Sequence, residues 1–172
     1  MKKANFLALA IGAAALLGAF QAWAATQSVT ANIAFDAPVT LNKTADINFG
    51  TETAANASTY RITTAGAVTT TVGTGAHLYG ATNAGSITIA GPAADTLTIS
   101  VGGYTANNGV TPSNASCSYV VPFAAVTPCS YAAAVAPGAG KTLLVGVDVA
   151  TDGTQAAGTA AAPSFTVTVV AN

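Results

Sequence analysis

The sequence predicts an all-β fold, an antiparallel β-sandwich of immunoglobulin-like type, on three observations. Short segments with period-two or β-branched character recur from residue 29 to residue 170. Glycine, proline and asparagine punctuate the gaps between them at the spacing of antiparallel strands. No charged, capped amphipathic stretch of helical length interrupts the series.

The expected strands are Val29 to Phe35, Val39 to Asn42, Asp46 to Phe49, Tyr60 to Thr63, Ala67 to Val72, Ser86 to Ala90, Thr96 to Val101, Tyr119 to Val121, Thr142 to Val149 and Phe165 to Val170. The first puts Val29, Ala31, Ile33 and Phe35 on one face and Thr30, Asn32 and Ala34 on the other, because successive strand side chains point to opposite faces. Phe165, Val167 and Val169 alternate with Thr166 and Thr168 in the same way. The turns include Ala65-Gly66, Gly73-Thr74-Gly75, Gly91-Pro92, Asn107-Asn108-Gly109, Pro137-Gly138 and Asp152-Gly153. Alanine-rich Tyr131 to Ala136 has room for one helical turn at most before Pro137. A transmembrane barrel is the structural rival, but its strands run to about 9–11 residues between aromatic girdles, and here strands are shorter and aromatics few.

Ahead of these strands, Lys2 and Lys3 precede an uncharged apolar run from Phe6 to Phe20 and then Ala22-Trp23-Ala24. That is the three-part pattern of a secretory signal peptide with cleavage between Ala24 and Ala25. An N-terminal membrane anchor is the alternative; the run is shorter than the roughly 20 residues a helix needs to cross a bilayer. The expected organisation is therefore a signal peptide, residues 1–24, and a single β-sandwich domain, residues 25–172, not membrane-spanning once mature.

Export fixes the reading of the two cysteines. Cys117 and Cys129 are the only intrachain pair, and disulfides persist outside the reducing cytosol. Free or metal-bound thiols are the alternative, but structural zinc wants four ligands and the chain offers one histidine. Charge excludes another class. Residues 25–172 hold Lys43, Arg61 and Lys141 against six acidic side chains, a formal charge of −3, so no basic patch exists to bind nucleic acid.

No catalytic constellation assembles, and the expectation is a non-enzyme without cofactor or metal. Gly140-Lys141-Thr142 resembles the tail of a phosphate loop, but Val135 stands where that motif needs its first glycine. His77 has no nucleophile motif to serve. Carboxylates drawn from Asp36, Asp46 and Asp148 lack tryptophan platforms for a glycosidase, and Asp148 and Asp152 fit no calcium loop. The glycosylation sequons at Asn42, Asn56 and Asn114 arise easily in a threonine-rich chain.

The stretch Val29-Thr30-Ala31-Asn32-Ile33, continuing through Pro38-Val39-Thr40-Leu41 to Asp46-Ile47-Asn48-Phe49-Gly50-Thr51, resembles the opening of fimbrial subunits of the spore coat U and archaic chaperone–usher type. Gln155-Ala156-Ala157-Gly158-Thr159 followed by Phe165-Thr166-Val167-Thr168-Val169 is similar to the last strand of many such pilins. An uncharacterised group of exported bacterial domains resembles both ends more closely still. The resemblance covers about the first and last thirty mature residues, and it departs at Ala37-Pro38, where such subunits carry a cysteine.

The resemblance implies a fimbria-like subunit whose sandwich is incomplete and is filled by a donor strand from another chain, with Val29, Ala31, Ile33 and Phe35 as the donor face. It also implies self-association, a periplasmic chaperone and usher as transient partners, passage through the periplasm to the cell surface, and adhesion. The same segment would equally serve as the first strand of a self-contained sandwich. A monomeric secreted binding module, using loops such as Gly73 to Gly80 or Ala106 to Ser118, is the alternative function.

Overall fold

The computed structural model describes Thr30, Ile33, residues 37–120 and residues 125–172. The compact unit spans Phe35–Asn172; of the other, Met1–Ala34, only Thr30 and Ile33 are described. The expected signal peptide, its cleavage site at Ala24 and Ala25, and Val29, Ala31 and Phe35 lie outside the described residues.

Eleven strands are present among the described residues: β1 (Thr40–Ala45), β2 (Thr51–Glu52), β3 (Thr59–Ile62), β4 (Val68–Val72), β5 (His77–Tyr79), β6 (Gly85–Ala90), β7 (Leu97–Thr105), β8 (Val110–Tyr119), β9 (Ser130–Ala134), β10 (Lys141–Thr151) and β11 (Ser164–Ala171). Every pairing is antiparallel, as expected of short strands joined by tight turns. The larger sheet is organised on β10, which carries β8 along one edge and β6 and then β3 end to end along the other; β1 extends β6 and β4 extends β3. The second sheet has the order β11-β7-β9, and β2 and β5 form a separate ribbon.

The core lies between the two sheets. Ile89, Leu143, Val145 and Val147 of the larger sheet meet Leu97 and Ile99 of the smaller, all buried. They do so because β6, β7 and β10 alternate apolar with polar or small residues, which turns one face of each sheet inward.

Gly146 marks where β10 changes partner. Val145 pairs with Gly85 of β6, Val147 with Ile62 of β3, and the pairing with β8 shifts register between Gly146 and Asp148. A methyl group at Gly146 would sit 2.3 Å from the Ile62 carbonyl oxygen and 2.8 Å from Ser116 Oγ. Two of the three strands meeting there would have to move. Gly146→Ala should therefore lower stability by about 1–3 kcal/mol, the range of a forced core overlap, read as a lower urea midpoint with an unchanged slope.

Several strand expectations need correction. Asp46 to Phe49 is not a strand; only Asn48 bridges, to Asn83, and Asp46 turns out to pair with Lys43. Ala106 to Ser118, read as a loop, is mostly β8, with Val110, Ala115 and Cys117 buried. Its serines, asparagine and proline mask a strand that packs its small residues against the disulfide. Tyr131 to Ala136, offered as a helical turn, is mostly β9, because the edge of β7 supplies hydrogen-bond partners. The ribbon of β2 and β5 was not foreseen either.

Candidate functional site

The sandwich is closed along one side and open along the other. On the closed side, Cys117 of β8 is bonded to Cys129, which leads into β9 of the opposite sheet. The Val126 and Cys117 backbones exchange two hydrogen bonds there, at 2.8 and 3.0 Å, and the Cys129 amide donates to the Ala115 carbonyl at 2.7 Å. Tyr131 adds its hydroxyl to the Cys117 carbonyl and packs edge-on against Tyr119. The disulfide closes a short loop, for which the chain-entropy model gives about 3 kcal/mol. Its presence fits an oxidising, exported compartment.

On the open side two edges face each other, and among the described residues no strand lies between them: β1 pairs only with β6, and β11 only with β7. The turn at Asn107 and Val110 makes β7 and β8 run in opposite directions. Following the antiparallel pairings from there around both sheets, β1 and β11 also run in opposite directions. A strand inserted between them is thus antiparallel to one edge and parallel to the other.

The space between the edges is a cavity of about 750 Å³. Its floor is Val145, Val147 and Val149 of β10, its walls are Leu41 of β1 with Ile87 of β6 on one side and Phe165 and Val167 of β11 on the other, and Ile47 and Phe49 add to the apolar lining. Gly85 keeps one point of the wall low, since Ile47 lies 3.0 Å from where its Cβ would be. Ala161, Ala162 and Pro163 line the stretch where the β10–β11 connection enters β11. That connection is tied down by Asn107, whose Oδ1 accepts from the Ala162 amide, and by Asn108, whose Nδ2 donates to the Ala160 carbonyl. At its start, the Thr154 hydroxyl and amide and the Gln155 amide group all donate to Asp152, which holds the Asp152 carboxyl below its usual range.

Burial along the inner face shows what the groove lacks. Val145 and Val147, at the centre of β10, are 1% and 3% exposed. Ile87, Phe165 and Val167 point the same way, inward, yet remain only half-buried, and Leu41 is 45% exposed. These are apolar side chains on a core-facing register that the other described residues leave partly uncovered. The pattern of Phe165, Val167 and Val169 was visible in the sequence; that their face would be left open was not.

The remaining polar residues are engaged locally. His77 Nδ1 lies 3.0 Å from Glu52 Oε1, pinning β5 to β2 beside the left-handed Gly50. Glu52 Oε2 has no hydrogen-bond partner among the described residues. The Tyr60 hydroxyl is buried nearby, its pKa raised by that burial and then by the Glu52 charge. Ser58 accepts from the Gly75 amide and donates to Asn56. Asp148 is held by both Nε and Nη2 of Arg61, at 2.6 and 2.8 Å. Lys141 donates to the Ala136 carbonyl at the start of β10. Of the four expected donor-face residues only Ile33 is described, and it is 75% exposed. Among the described residues no helix is long and apolar enough to cross a membrane, and no cluster of three metal-ligating side chains occurs.

Comparison with known proteins found no matching family model, curated protein or solved structure.

Proposed function

We propose that the chain is a non-enzymatic, exported structural subunit that assembles by strand addition, the segment Val29 to Phe35 of one copy lying between β1 and β11 of the next. One observation carries this reading: among the described residues, two strand edges without a second neighbour flank an open cavity whose inward-facing apolar residues, Ile87, Phe165 and Val167, are only half-buried. An added strand supplies what each part lacks. Its backbone pairs with the free edges, and alternate side chains enter the groove. Val29, Ala31, Ile33 and Phe35 present such an apolar face, and seven extended residues reach about 23 Å, commensurate with the eight residues of β11.

On this reading a periplasmic chaperone fills the groove first, because an uncovered strand edge invites aggregation. An usher then passes subunits to the cell surface, where the fibre has an adhesive role. The test is deletion of Gln27 to Phe35. The shortened subunit is expected to fold with a supplied donor peptide and to accept it, yet to form no ladder of polymers resistant to cold detergent. A variant that still polymerises, or that stays unfolded with the peptide present, overturns the proposal.

A second reading, a monomeric binding module, is favoured by one feature. Leu78 and Tyr79 of β5 are 54% and 68% exposed, side by side on the ribbon. It predicts a sharp monomer in size exclusion without a chaperone.

A further inference from the structure

The wall that β11 gives to the groove does not end with the strand. Backbone pairing between β11 and β7 stops at Ser164 and Thr105, yet Ala161, Ala162 and Pro163 line the same cavity as Phe165 and Val167. The tip of the β7–β8 hairpin holds them there. The Asn107 amide and carbonyl both bond to Val110, closing a two-residue turn on Asn108 and Gly109, each with positive φ. The Asn107 backbone is thereby committed to β8, and its side chain serves the other sheet instead. Asn107 Oδ1 accepts from the Ala162 amide at 2.9 Å, and Asn108 Nδ2 donates to the Ala160 carbonyl at 2.7 Å.

Parity makes these two bonds a continuation of the strand. The Asn172 amide donates to the Thr96 carbonyl, and hydrogen-bonded pairs alternate along an antiparallel ladder, so Val170, Thr168 and Thr166 turn their backbone groups toward β7. Ala162 and Ala160 keep that even count, with side-chain amides standing in for the β7 backbone. The irregularity in this ladder, between Ser164 and Thr166, is an extra residue on β7, and inward and outward side chains alternate along the whole of β11. Val167, Phe165, the Pro163 carbonyl and Ala161 therefore turn their backbone groups to the open side.

We propose that Asn107 and Asn108 are positioning residues for strand uptake, which set the length of strand the groove accepts. The inference rests on the strand-addition reading. With the extension the wall presents residues 161, 163, 165 and 167, one for each of Val29, Ala31, Ile33 and Phe35 of the incoming chain; without it the β11 side of the cavity offers Phe165 and Val167 alone. Ala160, Ala161 and Ala162 are exposed and their small side chains bury little, so the two asparagines decide where this stretch lies. The turn itself accounts for Asn108, since asparagine suits a positive φ, but it makes no such demand on residue 107.

Labelled peptides titrated into the full chain, where the end subunit of each fibre keeps an open groove, test this. The peptides are Gln27 to Phe35, the same without Ala34 and Phe35, and the same without Gln27 to Thr30. Asn107→Ala combined with Asn108→Gly, which keeps the left-handed turn, should weaken binding of the full-length peptide about tenfold. One shortened peptide, the one lacking the end that reaches Ala161, should bind this variant and the unmodified chain equally. Asn107→Asp, which keeps an acceptor for the Ala162 amide, should bind all three peptides as the unmodified chain does. An equal loss for all three peptides, as general destabilisation would give, or no loss for any, overturns the proposal. Failure of the unmodified chain to bind even the full-length peptide overturns the strand-addition reading, and this inference with it.

Discussion

Val167→Asp should abolish polymer formation while leaving the subunit folded. Val167 lines the cavity from β11 and is only half-buried, so in the free subunit the new carboxylate can reach water through the open side. Once a strand lies between β1 and β11 that route closes. The carboxylate is then buried without a cation, because Lys43, the only basic side chain among the described residues lining the groove, is already paired with Asp46 at 2.6 Å. Burying an unpaired charge costs several kcal/mol, and each 1.4 kcal/mol is about tenfold in association. Subunit affinity should fall by roughly a thousandfold or more. Thr168→Asp is the matched control. Its side chain points to the opposite, exposed face, so ladders should persist in cold detergent. Equal loss of polymer in both variants, or in neither, would separate assembly from the groove.

That control works because strand alternation was already legible in the sequence. Phe165, Val167 and Val169 announce both a strand and its inner face without any tertiary information, as do the alternating residues of β6 and β10. The strands that escaped notice are those whose stability comes from elsewhere. β8 holds Pro112, Asn114 and three serines at weak strand positions, but pairs with β10 along nearly its whole length and is pinned by Cys117. β9 is alanine-rich and is a strand only because β7 has an edge to offer. β2 and β5, two and three residues long, are below what periodicity can register.

The groove lies further out of reach. Each of its residues reads as an ordinary core residue locally. What makes it a groove is that the sheet order leaves β1 and β11 with one neighbour each among the described residues, a property of topology that no single segment encodes. In the sequence, the donor-like segment Val29 to Phe35 lies shortly ahead of Pro38 and β1. The pairing of Arg61 with Asp148 was invisible for the same reason, as 87 residues separate them.

Removing Arg61 should be the most damaging change outside the core. Asp148 sits in the middle of β10, opposite Arg61 of β3 and Ser113 of β8, with its side chain 5% exposed. Two guanidinium hydrogen bonds hold it, and the only further donor, Asn114 Nδ2, is at 3.5 Å. Arg61 itself is 48% exposed, so water screens part of the attraction and the intact pair contributes modestly. Its loss is another matter. Arg61→Leu would strand a carboxylate inside the sheet, at a cost of about 2–4 kcal/mol near neutral pH, somewhat below the range for a fully buried pair. Arg61→Leu combined with Asp148→Leu removes both charges, and should recover most of the lost stability. Urea midpoints of the three proteins check this point. A deficit for Arg61→Leu that the double variant fails to relieve would mean that the arginine acts through packing rather than through the charge it neutralises.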